Sequence, residues 1–388
     1  MGLSADEREE LRTTARSLLS HSCSSRRVRT VSEDGNGFDA QLWRQILGLG
    51  WTAIHVEERY GGAGCGYRDL VVVLHELGRA LAPTPFLASA VLATGALIKG
   101  DDEALRSSRL AALASGASIG SVAFAAADGS YDIGDLSVRW VAEKANLVLQ
   151  GVSGFVLDAD LADFLVVAAR GENGELAVAV VDTAHPGLRC QRIQTVDQTR
   201  RLFSVIFDGV VVPSDQLLCP PGPPAATLFD RVLALGVVAA AADATGVAEG
   251  ALEATATYSR ERMQFGKPIG SFQAVKHHCA NMAVNVEASR AATTAAASEF
   301  DADPTGWSAT ADIIASYVGP ACSEVCALAM RVHGGIGFTW EHDTHLQMKR
   351  VKLDEVLFGR PSWHRRRLAD AVFPTLVTSD TEMLRRPR

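Results

Sequence analysis

Cysteine is sparse and unpaired in this 388-residue chain. Seven are present, an odd number, and no two form a C-x-x-C pair. Cys23, Cys65, Cys190, Cys219 and Cys279 are scattered, while Cys322 and Cys326 lie four apart on an expected helix. Among their alanine neighbours the last two read as core packing, so no metal site is expected. A reducing cytoplasm fits this usage. Basic tracts are also missing beyond the short run Arg365, Arg366, Arg367. With a formal charge of -8, the chain has no general attraction for nucleic acid or acidic membranes, and neither is an expected partner. The N-terminal stretch MGLSADEREELR is charged where a signal peptide needs an apolar core. No apolar run is read as long enough to cross a bilayer, so a soluble, cytoplasmic protein is expected.

The chain is long for a single core and should divide into two or three domains. Helical patterning runs from Ser4 to about Ala114, in ADEREELRTTARSLLS, FDAQLWRQILGLGW, YRDLVVVLHELGRALA and FLASAVLATGALI. Turns are expected at Asp34 to Gly37, Arg59 to Gly66 and Pro83 to Pro85. From Gly120 to about Leu218 the pattern changes to short runs of Val, Leu, Ile and Phe separated by Gly and Asp, the mark of half-buried strands. A Pro-rich connection follows, and a long alanine-rich helix is expected from near Leu228 to Tyr258. Further helices are expected over Ala274 to Phe300, Trp307 to Val332, Leu346 to Val356 and Pro361 to Val372. The fold class is therefore α+β: an N-terminal α-helical domain (1–119), a middle β domain (120–218) and a C-terminal α-helical bundle (219–388).

Two stretches carry chemistry. YSRERMQFGKPIGSFQAVK, Tyr258 to Lys276, ends a helix in basic residues and follows it with a Gly-Pro turn, an arrangement suited to an anion. RVHGGIGFTWEHDTHLQMKR, Arg331 to Arg350, has paired glycines that let backbone approach a bulky partner. Read alone, the first is a helix-turn-helix corner with a solvated arginine and the second a simple turn. Together, R-x-Q-F-G-x-P-I-x-S-F-Q and H-G-G-x-G-F-T-W-E-H-D resemble the C-terminal domain of the flavin-dependent acyl-CoA dehydrogenases. The order helical, β, helical is similar to that family's architecture.

The resemblance implies FAD as cofactor and an acyl-CoA thioester as substrate. It also implies that Arg262, Phe265 and Gln273, with Gly334 and Gly335, contact the FAD of a neighbouring subunit. A guanidinium forks onto phosphate oxygens, so Arg262 is physically suited. The family's usual Gln before the paired glycines is Arg331 here. α,β-Desaturation needs a carboxylate base, and the commonest family position for it falls on Phe358, in LFGRP. The alternative glutamate position on the long helix falls, by counting back from Phe265, on Gly236, leaving Asp230 as a low-ranking candidate that reads more readily as an N-cap or solvated acid. Glu341, Asp343, Asp354 and Glu355 read as surface or salt-bridge acids, and His333 and His342 as packing residues. The segments that support the flavin ring in the family read here as FAAADGSYD and GFVLDAD, with Phe155 and Leu157 in place of a tryptophan and a threonine.

Three functions follow from this uneven pattern. The chain is a baseless subunit of a heteromeric acyl-CoA dehydrogenase, an α2β2 assembly similar to those of actinobacterial sterol degradation. Alternatively it is a self-sufficient homotetramer using Asp230, or a scaffold or monooxygenase of the same fold. An electron-transfer flavoprotein or similar acceptor is the expected redox partner.

Overall fold

The computed structural model describes residues 2–33, 37–302 and 306–373. The turn expected at Asp34 to Gly37 and the last residues of the C-terminal bundle fall partly outside them. The first helices are α1 (Ala5–Ser22), α2 (Ser25–Glu33), α3 (Ala40–Gly48) and α4 (Tyr67–Arg79). A π-helical turn, Leu87–Ala93, then runs into α5 (Thr94–Lys99), and α6 (Glu103–Ala114) follows. α1 begins in a capping box, with Ser4 Oγ accepting from the Glu7 N–H and the Glu7 carboxylate accepting from the Ser4 N–H at 2.8 Å. α2 and α6 escape the periodicity reading because each is short and buries only a few apolar residues, Val28 and Val31 in one, Leu105, Leu110 and Leu113 in the other.

Eight strands follow: β1 (Gly120–Ala123), β2 (Arg139–Glu143), β3 (Asn146–Leu157), β4 (Phe164–Arg170), β5 (Leu176–Asp182), β6 (Leu188–Ile193), β7 (Leu202–Val212) and β8 (Leu217–Cys219). They form one sheet in the order β6-β7-β3-β2-β4-β5-β8, with β1 parallel to β4. Alternation on β4 and β5 sends Val166, Ala168, Val178 and Val180 toward the helices, and Leu165, Val167, Ala177 and Ala179 toward β7 residues Phe203, Val205 and Phe207. β3 is irregular where it meets the helical core. Its register shifts between Ser153 and Val156, and Phe155 has φ +54°. The Ser153 hydroxyl donates to the Ala125 carbonyl at 2.9 Å, tying this bulge to the loop that carries Tyr131.

The C-terminal part opens with α7 (Pro223–Glu261), a helix of 39 residues. It starts at Pro223 rather than near Leu228, since proline is at home in a first helical turn. A small hairpin, β9 (Met263–Gln264) and β10 (Lys267–Pro268), separates it from α8 (Gln273–Ala302). Then come α9 (Trp307–His333), α10 (Thr344–Asp354) and α11 (Pro361–Val372). α7 is the central member, and its small residues let neighbours approach backbone to backbone. A β-carbon at Gly246 would lie 1.9 Å from the His75 carbonyl oxygen of α4, and one at Gly78 would lie 2.1 Å from the Asp243 carbonyl oxygen.

Two helical segments are in fact long and apolar enough to cross a membrane by length and composition, Pro223–Glu261 and Trp307–Phe338. This corrects the expectation that no apolar run reaches that length. The apolar window of α7 is 78% buried inside the fold, so packing on all sides accounts for its composition.

A buried ionic cluster pins the sheet to the bundle. Arg350 of α10 donates to both carboxylate oxygens of Asp243 of α7 at 2.9 and 3.0 Å, and to Thr199 Oγ1 at 2.8 Å. Arg200 lies 3.1 Å from Asp243 and 3.0 Å from Asp354. Burial raises both carboxyls, but the two guanidiniums outweigh it at Asp243 and hold that group below the usual range. At Asp354 burial and the Asp243 charge prevail, and the carboxyl is raised.

Candidate functional site

The position of the usual base and the alternative position on the long helix meet in space. Phe358 sits in the turn between α10 and α11, 4% exposed, with φ +68°. Its ring covers Gly236 of α7: a β-carbon there would lie 2.9 Å from Phe358 Cδ1. The left-handed backbone, unusual for an aromatic residue, is held from behind. His364 Nε2 is 3.1 Å from the Phe358 carbonyl oxygen, and its Nδ1 is 2.6 Å from Asp312 Oδ1.

From the sheet side Tyr131 closes against Phe358, ring centroids 5.9 Å apart. Phe124 stacks on Phe229 of α7 at 5.1 Å. Leu92, Phe155, Leu157 and Leu233 also line the cavity between them, which measures only about 10 Å³, room for about one water. Its lining contains no carboxylate, and burial pushes the Tyr131 phenol well above its ordinary range, keeping it neutral. An aromatic wall thus stands where the resemblance led to the expectation of a base.

Asp230 does not line this cavity, although its neighbours Val232 and Leu233 do. It lies inside α7, half-buried, and is neither the N-cap nor a solvated acid. Burial raises its carboxyl, with Arg367 of α11 lowering it and Asp312 of α9 raising it further. The other acids are equally committed: Asp343 to Arg29 at 2.6 Å, Glu355 to Lys352 at 2.8 Å, and Asp354 to the buried cluster. Glu341 is exposed.

The residues expected to face an anion gather elsewhere. Tyr258, in the last turn of α7, stacks on His333, the last residue of α9, at 4.5 Å. This stack brings two chain turns to one surface. Beyond Tyr258, Arg262 caps α7, its N–H donating to the Tyr258 carbonyl at 2.8 Å while its side chain is exposed. Phe265 at the hairpin tip is 90% exposed with φ +51°, packed edge-on to Phe272, and Gln273 opens α8 in solvent. Beyond His333, Gly334 turns the chain at φ +64°, and a β-carbon on Gly334 or Gly335 would meet nothing within 4 Å. Arg331 is exposed beside them. His333 Nδ1 is 2.8 Å from the Ala329 carbonyl, and the ring contacts His342, so both histidines pack. The result is an open lip with guanidinium groups, bare backbone and an aromatic tip.

The sequence reading missed a second polar cluster. His75, Glu76 and Glu249 bring possible ligand atoms within 4.8 Å of one another. Arg16 donates to Glu76 at 2.9 and 3.0 Å and Arg290 lies 3.0 Å from Glu249, so guanidiniums take the carboxylate oxygens a cation would need.

Comparison with known proteins follows the same lines. Residues 227–373 match the model of the acyl-CoA dehydrogenase C-terminal domain, and residues 5–117 that of the N-terminal domain. The chain is 35% identical to acyl-CoA dehydrogenase IpdE2 of Mycolicibacterium smegmatis over 95% of its own length and 100% of the relative's. It is 33% identical to IpdE2 of Mycobacterium tuberculosis, over 95% and 98%. Among solved structures, a variant of the Tcur3481-Tcur3483 steroid ACAD matches with a TM-score of 0.86 at 27% identity, covering 96% of this chain and 99% of that one. The ChsE4-ChsE5 complex from Mycobacterium tuberculosis matches at 0.84 and 27%, covering 100% and 99%.

Proposed function

This chain belongs to the acyl-CoA dehydrogenase family, oxidoreductases acting on CH–CH bonds, and we propose that it is the baseless subunit of a heteromeric member. A homologous partner chain supplies the carboxylate base, and this chain helps to hold the partner's FAD. The observation that carries this reading is the Phe358 ring lying against Gly236, which fills with hydrocarbon the meeting point of both family base positions.

The fit of FAD differs between the two places. At the lip the residues suit its diphosphate: Arg262 offers a fork of N–H donors, and Gly334 and Gly335 let backbone N–H groups come close. Phe265 and Gln273 extend that surface. In the interior neither the flavin ring nor a thioester fits a cavity of about 10 Å³, and no step is assigned there. When bound, FAD supplies the acceptor for the β-hydrogen removed as hydride. This chain's part is to bind and orient: its guanidiniums neutralise phosphate charge, and its sealed interior keeps substrate in the partner. A steroid-derived acyl-CoA is the proposed substrate class, on the likeness to the Tcur3481-Tcur3483 steroid ACAD, with an electron-transfer flavoprotein or similar protein as acceptor.

The test is to purify the chain alone and together with a homologous chain from its host, reading mass, flavin absorbance and acyl-CoA turnover. Little flavin and negligible turnover are expected alone, with both restored in the complex. Stoichiometric flavin and full turnover in the single chain would overturn the reading.

A further inference from the structure

Guanidiniums gather a second time where four helices meet. A cavity of about 210 Å³ lies between α1, α4, α7 and α8, and Arg8, Arg12, Arg68 and Arg290 line it, with Glu9 as the one carboxylate of the described lining. The four are not equally engaged. Arg12 is bound to Glu9 at 2.7 Å, and Arg290 to Glu249 at 3.0 Å and Glu287 at 3.1 Å. Arg8 lies 3.4 Å from Asp69 Oδ1, while the other oxygen of that carboxylate accepts from the N–H groups of Leu3 at 3.2 Å and Gly66 at 3.0 Å. Backbone thus serves Asp69, and Arg8 is held by one long contact. Arg68, next to Asp69 on α4, is exposed and has no ion pair among the described residues. The deeper lining is of another kind. Val71 and Val72 of α4 and Ala242 of α7 are buried and present hydrocarbon. The Thr245 and Thr293 hydroxyls donate back to the Ala241 and Ser289 carbonyls at 2.7 and 2.8 Å, and so send no free proton into the cavity. His75 lies 2.9 Å from Glu249 and 3.5 Å from Glu76, so both its ring nitrogens face carboxylates.

We propose that this cavity binds a short organic carboxylate, its charge at the rim with Arg8 and Arg68 and its hydrocarbon stem on Val71, Val72 and Ala242. A guanidinium fork matches the two oxygens of a carboxylate, and these are the two forks of the lining that no side-chain acid saturates. The size follows from the volume. A cavity of about 150 Å³ takes benzene, so 210 Å³ corresponds to a ligand of roughly eight heavy atoms, the size of hexanoate. Such an occupant would touch α1 of the N-terminal helices together with α7 and α8 of the C-terminal bundle, and so fasten one to the other. The site goes beyond the heteromer reading, because it needs only groups of this chain and none of those assigned to the flavin.

Isothermal titration of the FAD-saturated protein, in whatever assembly it purifies, tests this with hexanoate, acetate and 1-hexanol as probes. Hexanoate should bind about tenfold or more tighter than acetate, and hexanol should not bind measurably. Arg8→Gln and Arg68→Gln should each weaken hexanoate binding about tenfold, while Arg44→Gln, on α3, leaves it unchanged. Because Arg68 is exposed and without an ion pair among the described residues, its variant should melt at the native temperature, which separates loss of the site from loss of the fold. Absence of hexanoate binding overturns the proposal, as does binding that is indifferent to Arg8→Gln and Arg68→Gln. Hexanol binding as tightly as hexanoate would leave the guanidiniums no part, and acetate binding as tightly would leave the stem none; either overturns it. Displacement of hexanoate by hexanoyl-CoA would put the acid in a substrate site, and also overturns it. Flavin content and turnover are read separately, so failure here leaves the heteromer reading to its own test.

Discussion

The ring of Phe358 rests on the bare α-carbon of Gly236, so that a methyl group added at position 236 would stand 2.9 Å from it. Neither residue can be changed without regard to the other. In an ordinary helix interior Gly→Ala gains about 1 kcal/mol. Here Gly236→Ala should instead cost about 1–3 kcal/mol through overpacking. Phe358→Ala alone should cost about 3–5 kcal/mol through the cavity it leaves. In the double variant the alanine at 236 should become neutral or stabilising, which denaturant unfolding of all four proteins would reveal. Additive losses would mean that the contact is slack.

Asp230→Asn should leave acyl-CoA turnover of the purified assembly within about twofold of native, because Asp230 does not line the cavity. Loss of α-proton exchange in that variant would return the residue to the reaction.

Arg262→Lys should weaken FAD retention in the assembly by about tenfold or more, since a lysine offers a point charge in place of a bidentate fork. Equilibrium dialysis against FAD measures this. Unchanged retention would remove Arg262 from the cofactor's surroundings.

Asp158, at the end of the bulged strand β3, provides a pH signature. Burial pushes its carboxyl up to about 7, while Arg201 and Arg200 pull the other way. A carboxyl raised in the folded state contributes stability that is complete below its unfolded value and is lost as pH rises through about 7. Asparagine keeps the shape and tolerates the φ of +47°. Asp158→Asn should therefore flatten the decline in stability between pH about 4 and about 8, and above it the variant should be the more stable by on the order of a few kcal/mol. Parallel pH profiles for the two proteins would show that the carboxyl is solvated.

The succession of helices, strands and helices was legible because each part keeps one hydrophobic period over long stretches, and α11 falls on Pro361–Val372 as its Pro start and apolar spacing require. That neither expected base position carries a carboxylate was legible too, at Phe358 and Gly236 separately. What no local pattern announces is that the two touch, since more than a hundred residues separate them. The same distance in sequence hid the cluster of Arg200, Asp243, Arg350 and Asp354, of which only Asp354 was singled out, as a surface or salt-bridge acid. Phe155 was noted only as a departure from a flavin-supporting pattern, and Tyr131 only as part of FAAADGSYD. Their joint role in the wall depends on a bulge with a left-handed phenylalanine, a conformation that tertiary packing imposes against local preference.

α7 carries Gly236 about a third of the way along and leads into Arg262 just beyond its last residue, about 39 Å from Gly236 at the usual helical rise. A helix of that length, buried through its middle and clamped there at Asp243, acts as a spacer. It keeps the sealed pocket and the anion-facing lip of a single chain too far apart to grip one flavin between them. On the proposed reading, a cofactor held at this lip has its reactive ring in a cavity that another polypeptide builds, and the exchange of parts between subunits follows from the length of one helix.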